Sequence, residues 1–178
     1  MKMHIFLSAI TLSAVLLAAP KWKPEAEKAQ VNFDIKGPFG MVHGKFSGLQ
    51  ADIKFSPDDL KGSSVKASID AGTVSTGISL RNRDLRKKEL WLNTDKYPRI
   101  NFQSNKIEKK GDGYVAIGDL TLKGKTKPVE IPFTFKGKGN SGTFNGKFSI
   151  NRQDFGIGKQ GGSVGKTISI ELSVPVTK

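Results

Sequence analysis

Cysteine is absent from the 178 residues, which excludes disulfides, thiolate metal sites and a cysteine nucleophile. That absence does not choose a compartment. Histidine is nearly absent too, with only His4 and His43. His4 lies in an N-terminal apolar leader, which leaves His43 as the one imidazole of a processed chain. A histidine-based triad would have to be built on it, and no nucleophile-elbow motif suggests a serine or an acid to join it. A lone imidazole without cysteine cannot complete a zinc-type site. No metal, no cofactor and no enzymatic activity are therefore expected. Gly156, Gly158, Gly161 and Gly162 do not follow a strand and open a helix, as a dinucleotide fingerprint must.

Long apolar runs are scarce as well. The one present extends from Ile5 to Ala19, interrupted by Ser8, Thr11 and Ser13, with Lys2 before it. It suits a signal-peptide core and falls short of the roughly 20 residues that span a bilayer. We expect a signal peptide over residues 1–19, cut near Ala18 or Ala19, and export to the periplasm or beyond. With no cysteine at the junction, a lipoprotein anchor is excluded. Residues 20–178 then form one domain, large enough for a real core.

What is plentiful is positive charge, glycine and phenylalanine. The formal net charge is +13, with 20 glycines and 11 phenylalanines. Such a balance favours anionic surfaces, although the lysines are scattered and could simply decorate the polar faces of strands. The densest cluster is Arg81, Arg83, Arg86, Lys87 and Lys88. It reads either as a solvated helix face or as a mouth meeting an anionic headgroup or membrane surface. Because most phenylalanines sit on regular apolar faces rather than among these cations, no nucleic-acid partner is expected.

The clearest local pattern runs from Tyr114 to Phe135. Tyr114, Ala116, Leu120 and Leu122 alternate with polar or outer residues, and Val129, Ile131, Phe133 and Phe135 do so again after Lys123 to Pro128. Side chains two apart share a strand face, so this is an antiparallel hairpin. Pro132 predicts a bulge or a place where that strand leaves its partner. Elsewhere, Val31 to Ile35, Val42 to Phe46, Leu49 to Phe55, Val65 to Ile69, Ile100 to Phe102, Phe144 to Ile150 and Ile168 to Val176 alternate in the same way. Gly48 marks a bulge or sharp bend within one long strand. Lys21 to Lys28 reads as a polar leader. Leu80 to Leu92 lacks alternation and predicts a short helix ended by Lys96-Tyr97-Pro98. About eight strands, each with one apolar face, imply an antiparallel barrel or sandwich around one interior. A barrel of that size either fills its inside with side chains or keeps room for one small ligand. Gly44, Gly118 and Gly146 on apolar faces fit either strand curvature or space for a guest.

Several stretches in order resemble the YceI-like family of lipid or polyisoprenoid-binding proteins. They are Val31-Asn32-Phe33 with Val42-His43-Gly44-Lys45-Phe46, and Val74-Ser75-Thr76-Gly77 with Arg83-Asp84-Leu85. Lys96-Tyr97-Pro98-Arg99-Ile100-Asn101-Phe102-Gln103-Ser104 follows. Gly118 to Gly124 with Thr126-Lys127-Pro128-Val129 is the strongest match, and Arg152-Gln153-Asp154-Phe155-Gly156-Ile157 completes the set. Leu90-Trp91-Leu92 departs from the paired phenylalanines and acid usual there. The resemblance implies an all-β, antiparallel lipocalin-like barrel of about eight strands with one short helical insertion. It also implies a periplasmic protein that holds a long isoprenoid or other lipid.

Candidate ligand-lining residues on this reading are Phe33, Ile35, Phe46, Ile53, Ile100, Phe102, Leu120, Leu122, Ile131, Phe133, Phe148, Ile150, Ile168 and Ile170. Leu90 and Trp91 are candidates for the mouth, and Arg83 and Arg86 for a headgroup. Ordinary core packing is the competing account for each apolar residue. A filled barrel whose basic exterior contacts anionic lipid, polymer or protein is the competing account of function. Neither the lipid nor the oligomeric state is legible from these residues.

Overall fold

The computed structural model describes residues 18–178; the apolar core of the expected signal peptide lies outside the described residues. Ten strands form one sheet: β1 (Lys21–Pro24), β2 (Gln30–Gly37), β3 (Gly40–Phe46), β4 (Gln50–Lys54), β5 (Ser64–Asp70), β6 (Arg99–Lys110), β7 (Gly113–Leu122), β8 (Lys125–Lys138), β9 (Ser141–Asn151) and β10 (Thr167–Thr177). One helix, α1 (Ser79–Lys87), interrupts them between β5 and β6. All strand pairings are antiparallel. β1 and β2 lie end to end against one edge of β10, with β4 beyond β1 and β3 beyond β2. Ten segments thus fill eight positions, and β1 closes the ring by pairing with both β4 and β10.

Lys21 to Lys28 is therefore more than a leader. Trp22 is buried and its indole Nε1 donates to the Phe55 carbonyl at 2.9 Å. One apolar residue between lysines carries too little period to announce a strand, yet this strand seals the barrel. The helix is also shorter than its charged stretch suggested. It stops at Lys87, and the chain folds back so that Leu92 and Thr94 donate their N–H groups to the Leu85 and Arg86 carbonyls.

Register explains the prolines and glycines. The β8–β9 ladder begins only at Phe133, so Pro128 and Pro132 occupy the stretch of β8 that β9 does not reach. A strand tolerates residues without an N–H there. Pro132 thus marks where a strand leaves its partner. The β7–β8 turn is tighter than Lys123 to Pro128: Lys123 and Gly124 both have positive φ, at 50° and 71°, as a two-residue hairpin turn demands. Gly118 faces a register shift in β6 between Ser104 and Lys106, and a Cβ on it would sit 2.2 Å from the Gln103 carbonyl oxygen. Gly118→Val is accordingly expected to cost roughly 3 kcal/mol of stability, measured by urea unfolding. An unchanged midpoint would show that the bulge does not need the glycine. Gly44 is likewise occupied from within, because a Cβ there would strike the Phe33 ring. Of the three glycines, only Gly146 borders open space inside the barrel.

The pairings also define two ends. The β2–β3, β5–β6, β7–β8 and β9–β10 connections share one end. At the other, Phe55 is fully buried among aromatic rings, with centroids 5.0 Å from Tyr114, 5.5 Å from Phe133, 5.2 Å from Phe135 and 5.4 Å from Phe144. Trp22 adds an edge contact to Phe135 at 5.0 Å. Edge-on rings of this kind pack densely, and this half of the barrel is plugged.

Candidate functional site

The remaining half is hollow. A cavity of about 720 Å³ opens between the aromatic plug and the far end, within the range of sites that enclose small-molecule ligands. Its walls are the inner faces of the strands. Fifteen of the sixteen apolar residues singled out from sequence line it, from Phe33 and Ile35 on β2 to Ile168 and Ile170 on β10. Leu90 does not. It follows the fold-back after α1 and is one of the exposed large apolar residues, whereas its neighbour Trp91 turns inward.

The expected headgroup cations are also displaced. Arg83 is about two-thirds exposed and lies 3.9 Å from Asp84, and Arg86 reaches toward the Gly72 carbonyl. Neither borders the cavity. The arginines that do are Arg81 and Arg152. Within the basic cluster it is Arg81 that borders the cavity, because the inward side of a short helix is set by packing rather than by charge density along the chain. Arg81 spends its Nε on the Thr76 hydroxyl at 2.8 Å and an Nη on the Thr76 carbonyl at 3.1 Å, fixing the loop before α1. Asp84, also at the cavity, is paired with Lys88 at 2.7 Å.

Arg152 is almost completely buried. Its guanidinium donates to four backbone carbonyls of the loop between β9 and β10: Ile157, Lys159, Val164 and Gly165. Among the described residues no carboxylate lies within ion-pair distance of it. Burial lowers its pKa from the ordinary guanidinium value, but an arginine in a protein keeps its proton. The resemblance had flagged this stretch, although nothing in the sequence marks Arg152 as facing inward. A second strap lies close by. Lys123 donates to the Glu89 and Gly156 carbonyls, and the Gly158 N–H donates to the Leu90 carbonyl at 2.7 Å. Desolvation is the main cause lowering the Lys123 pKa, opposed by the charge of Glu89 and aided by that of Lys125.

Other sequence signals missed the small wall residues. Ala51 and Ala67 face each other across β4 and β5 and both line the cavity; their alternation was visible, their role as spacers was not. His43 stands apart from the cavity, exposed, with Nδ1 2.6 Å from Asp34 Oδ1. Contrary to the expectation that no elbow motif is present, Gly161-Gly162-Ser163-Val164-Gly165 has the spacing of one, but it lies in the β9–β10 loop and no strand-to-helix turn carries it. Its last two carbonyls serve Arg152 instead.

A closed antiparallel barrel, plugged at one end and hollow and apolar at the other, has the architecture of the lipocalin-like barrels. The chain belongs to the YceI-like family, whose domain matches residues 22–176. A UPF0312 protein of Yersinia pestis (strain Pestoides F) is 30% identical over 171 residues, covering 92% of this chain and 88% of the relative. The crystal structure of Burkholderia cenocepacia BcnA aligns with a TM-score of 0.81 at 27% identity, covering 86% of this chain and 99% of BcnA. A polyisoprenoid binding domain from Saccharophagus degradans aligns at 0.63 with 14% identity, over 88% and 97% of the two chains; that likeness concerns the fold.

Proposed function

We propose that this protein is an exported, non-enzymatic binder that holds one long amphiphilic lipid, of polyisoprenoid or isoprenoid-quinone type, in its half-hollow barrel for carriage or sequestration. The observation that carries this reading is the apolar cavity of about 720 Å³ above an aromatic floor. A chain buried there is held through its methylenes, each contributing about 0.8 kcal/mol, so few polar contacts are required. The charged groups bordering the cavity, Arg81, Asp84 and Arg152, all lie toward the open end. That favours a tail directed to the plug and a polar head left at the mouth. Family membership and the polyisoprenoid-binding neighbour agree with a lipid ligand. The apolar leader before Pro20 supports export.

The test is uptake against chain length. Prenyl alcohols of increasing length are offered to stripped protein, and the complexes are weighed by native mass spectrometry. Affinity is expected to climb with each isoprene unit and level off once the cavity is full. Protein that is empty in every preparation and takes up no prenyl chain of any length sinks the proposal.

A further inference from the structure

Among the described residues five large apolar side chains are exposed, and four of them, Phe39, Met41, Ile78 and Leu80, rim the mouth of the barrel cavity. Phe39 is fully exposed, at 101%. Single exposed apolar residues need no explanation, but four converging on one opening do. Register shows how they come together. Gln50 pairs with Ser68 near the end of β5, so β3, upstream of it, runs past that end. The β2–β3 hairpin therefore projects beyond the barrel with Phe39 at its tip. The bridge between Lys45 and Ser75, with the Ser47–Thr73 hydrogen bonds beside it, ties the free edge of β3 to the segment leading into α1. Ile78 and Leu80 begin that helix, and the hairpin and helix form two lips.

The charge around these lips is mostly positive. The segments 34–45, 78–89 and 156–166, which carry the rim and the loop hydrogen-bonded to it through Gly165 and Lys36, hold nine Lys and Arg against three Asp and Glu. On α1, Leu80, Arg83 and Lys87 recur at intervals of three and four and so share a face. Apolar tips among cations match a bilayer rich in anionic headgroups: the tips enter the acyl boundary while the cations stay with the phosphates. A soluble protein partner would need an acidic surface with an apolar pocket for each tip, whereas a membrane supplies both without shape matching.

We infer that the open end of the barrel docks on an anionic membrane surface, inserting Phe39 and Met41 of the hairpin with Ile78 and Leu80 of α1. In this pose the cavity mouth opens onto the acyl chains, so a lipid passes between membrane and barrel without crossing water. This deepens the carrier reading, but docking is measured separately from cargo.

The experiment is co-sedimentation of cargo-stripped protein with vesicles of phosphatidylcholine alone and of phosphatidylcholine with about one quarter phosphatidylglycerol. Partition is expected to be stronger on the anionic vesicles and to weaken with salt. Phe39→Ser lowers it about tenfold on both vesicle types, and Phe39→Ser/Leu80→Ser about a hundredfold. Arg83→Gln lowers it about fivefold on anionic vesicles alone. Because Phe39 is fully exposed and Leu80 more than half exposed, thermal unfolding is expected to stay nearly unchanged, which separates lost docking from lost folding. Salt-sensitive binding indifferent to Phe39 and Leu80 overturns insertion. Absence of vesicle binding at low salt overturns docking and leaves the rim to a protein partner. Failed prenyl uptake with intact vesicle binding refutes the cargo and spares the docking.

Discussion

Ala51→Phe/Ala67→Trp is expected to abolish uptake of a prenyl chain while the barrel remains folded. Ala51 pairs with Ala67, which in turn pairs with Phe102 on the neighbouring strand, and all three line the chamber. Rings at the two alanines would extend into space that the chain leaves open. If they displace even four methylenes of the guest, the loss is about 3 kcal/mol, or roughly 200-fold in affinity. The same variant reports on the chamber itself. In a close-packed interior, two such enlargements would cost about 1–3 kcal/mol each and more when combined. In an open one the added rings gain contacts that the wall residues lack, and the melting temperature should hold or rise. Native mass spectrometry reads the first effect and calorimetry the second. Undiminished uptake with the melting temperature held would place the guest elsewhere. Should the double variant fold poorly, Ile170→Trp on the facing wall tests the same space from a strand paired on both sides. Loss of binding there without loss of stability keeps the conclusion.

Much of the wall could be read directly from the alternation of side chains, because a period of two assigns each residue to one face. Phe33, Phe102, Leu120 and Ile170 point inward for that reason. The same period carries no information about how far apart opposite walls stand. Phe133 and Phe144 are inward residues like Phe148 and Ile150, yet the first two help form the floor and the others flank open space. What separates them is the crowding of Phe55, Tyr114 and Phe135 at one end, a consequence of register across distant strands. The cations were harder still. Arg81 and Arg83 are two residues apart on one helix, and only packing against the Thr76 loop turns the first toward the chamber. Phe39, within a Gly-Pro-Phe-Gly turn, gives no hint in sequence that its hairpin outruns the neighbouring strand. Periodicity is local, whereas the hollow, its floor and its lips arise from the offset between strands.

Arg152→Met is expected to destabilise the protein by roughly 3 kcal/mol, and to do so by loosening the β9–β10 loop. Methionine keeps the apolar reach of the side chain but removes every donor. The carbonyls of Ile157, Lys159, Val164 and Gly165 then lose their partner. A hydrogen bond from a charged donor contributes about 1.5–3 kcal/mol. The loop is partly exposed, so water recovers a share of that for the carbonyls nearest solvent, which brings the total below a simple sum. For a domain of this size, roughly 3 kcal/mol corresponds to about 6–12 °C in melting temperature. Hydrogen exchange should quicken in residues 156–166 before it quickens in the strands, because the loop has few other anchors. Arg152→Lys should recover little, since one ammonium cannot serve carbonyls spread around a planar fork. The difference between parent and Arg152→Met should be flat with pH across the accessible range, because the guanidinium stays protonated in both folded and unfolded chains. A deficit that disappears as the pH falls through the carboxylate range would reveal an acidic partner for Arg152, contrary to the all-carbonyl cage. An unaltered melting temperature would mean that the loop holds itself, and that Arg152 owes its place to whatever enters the chamber beside it.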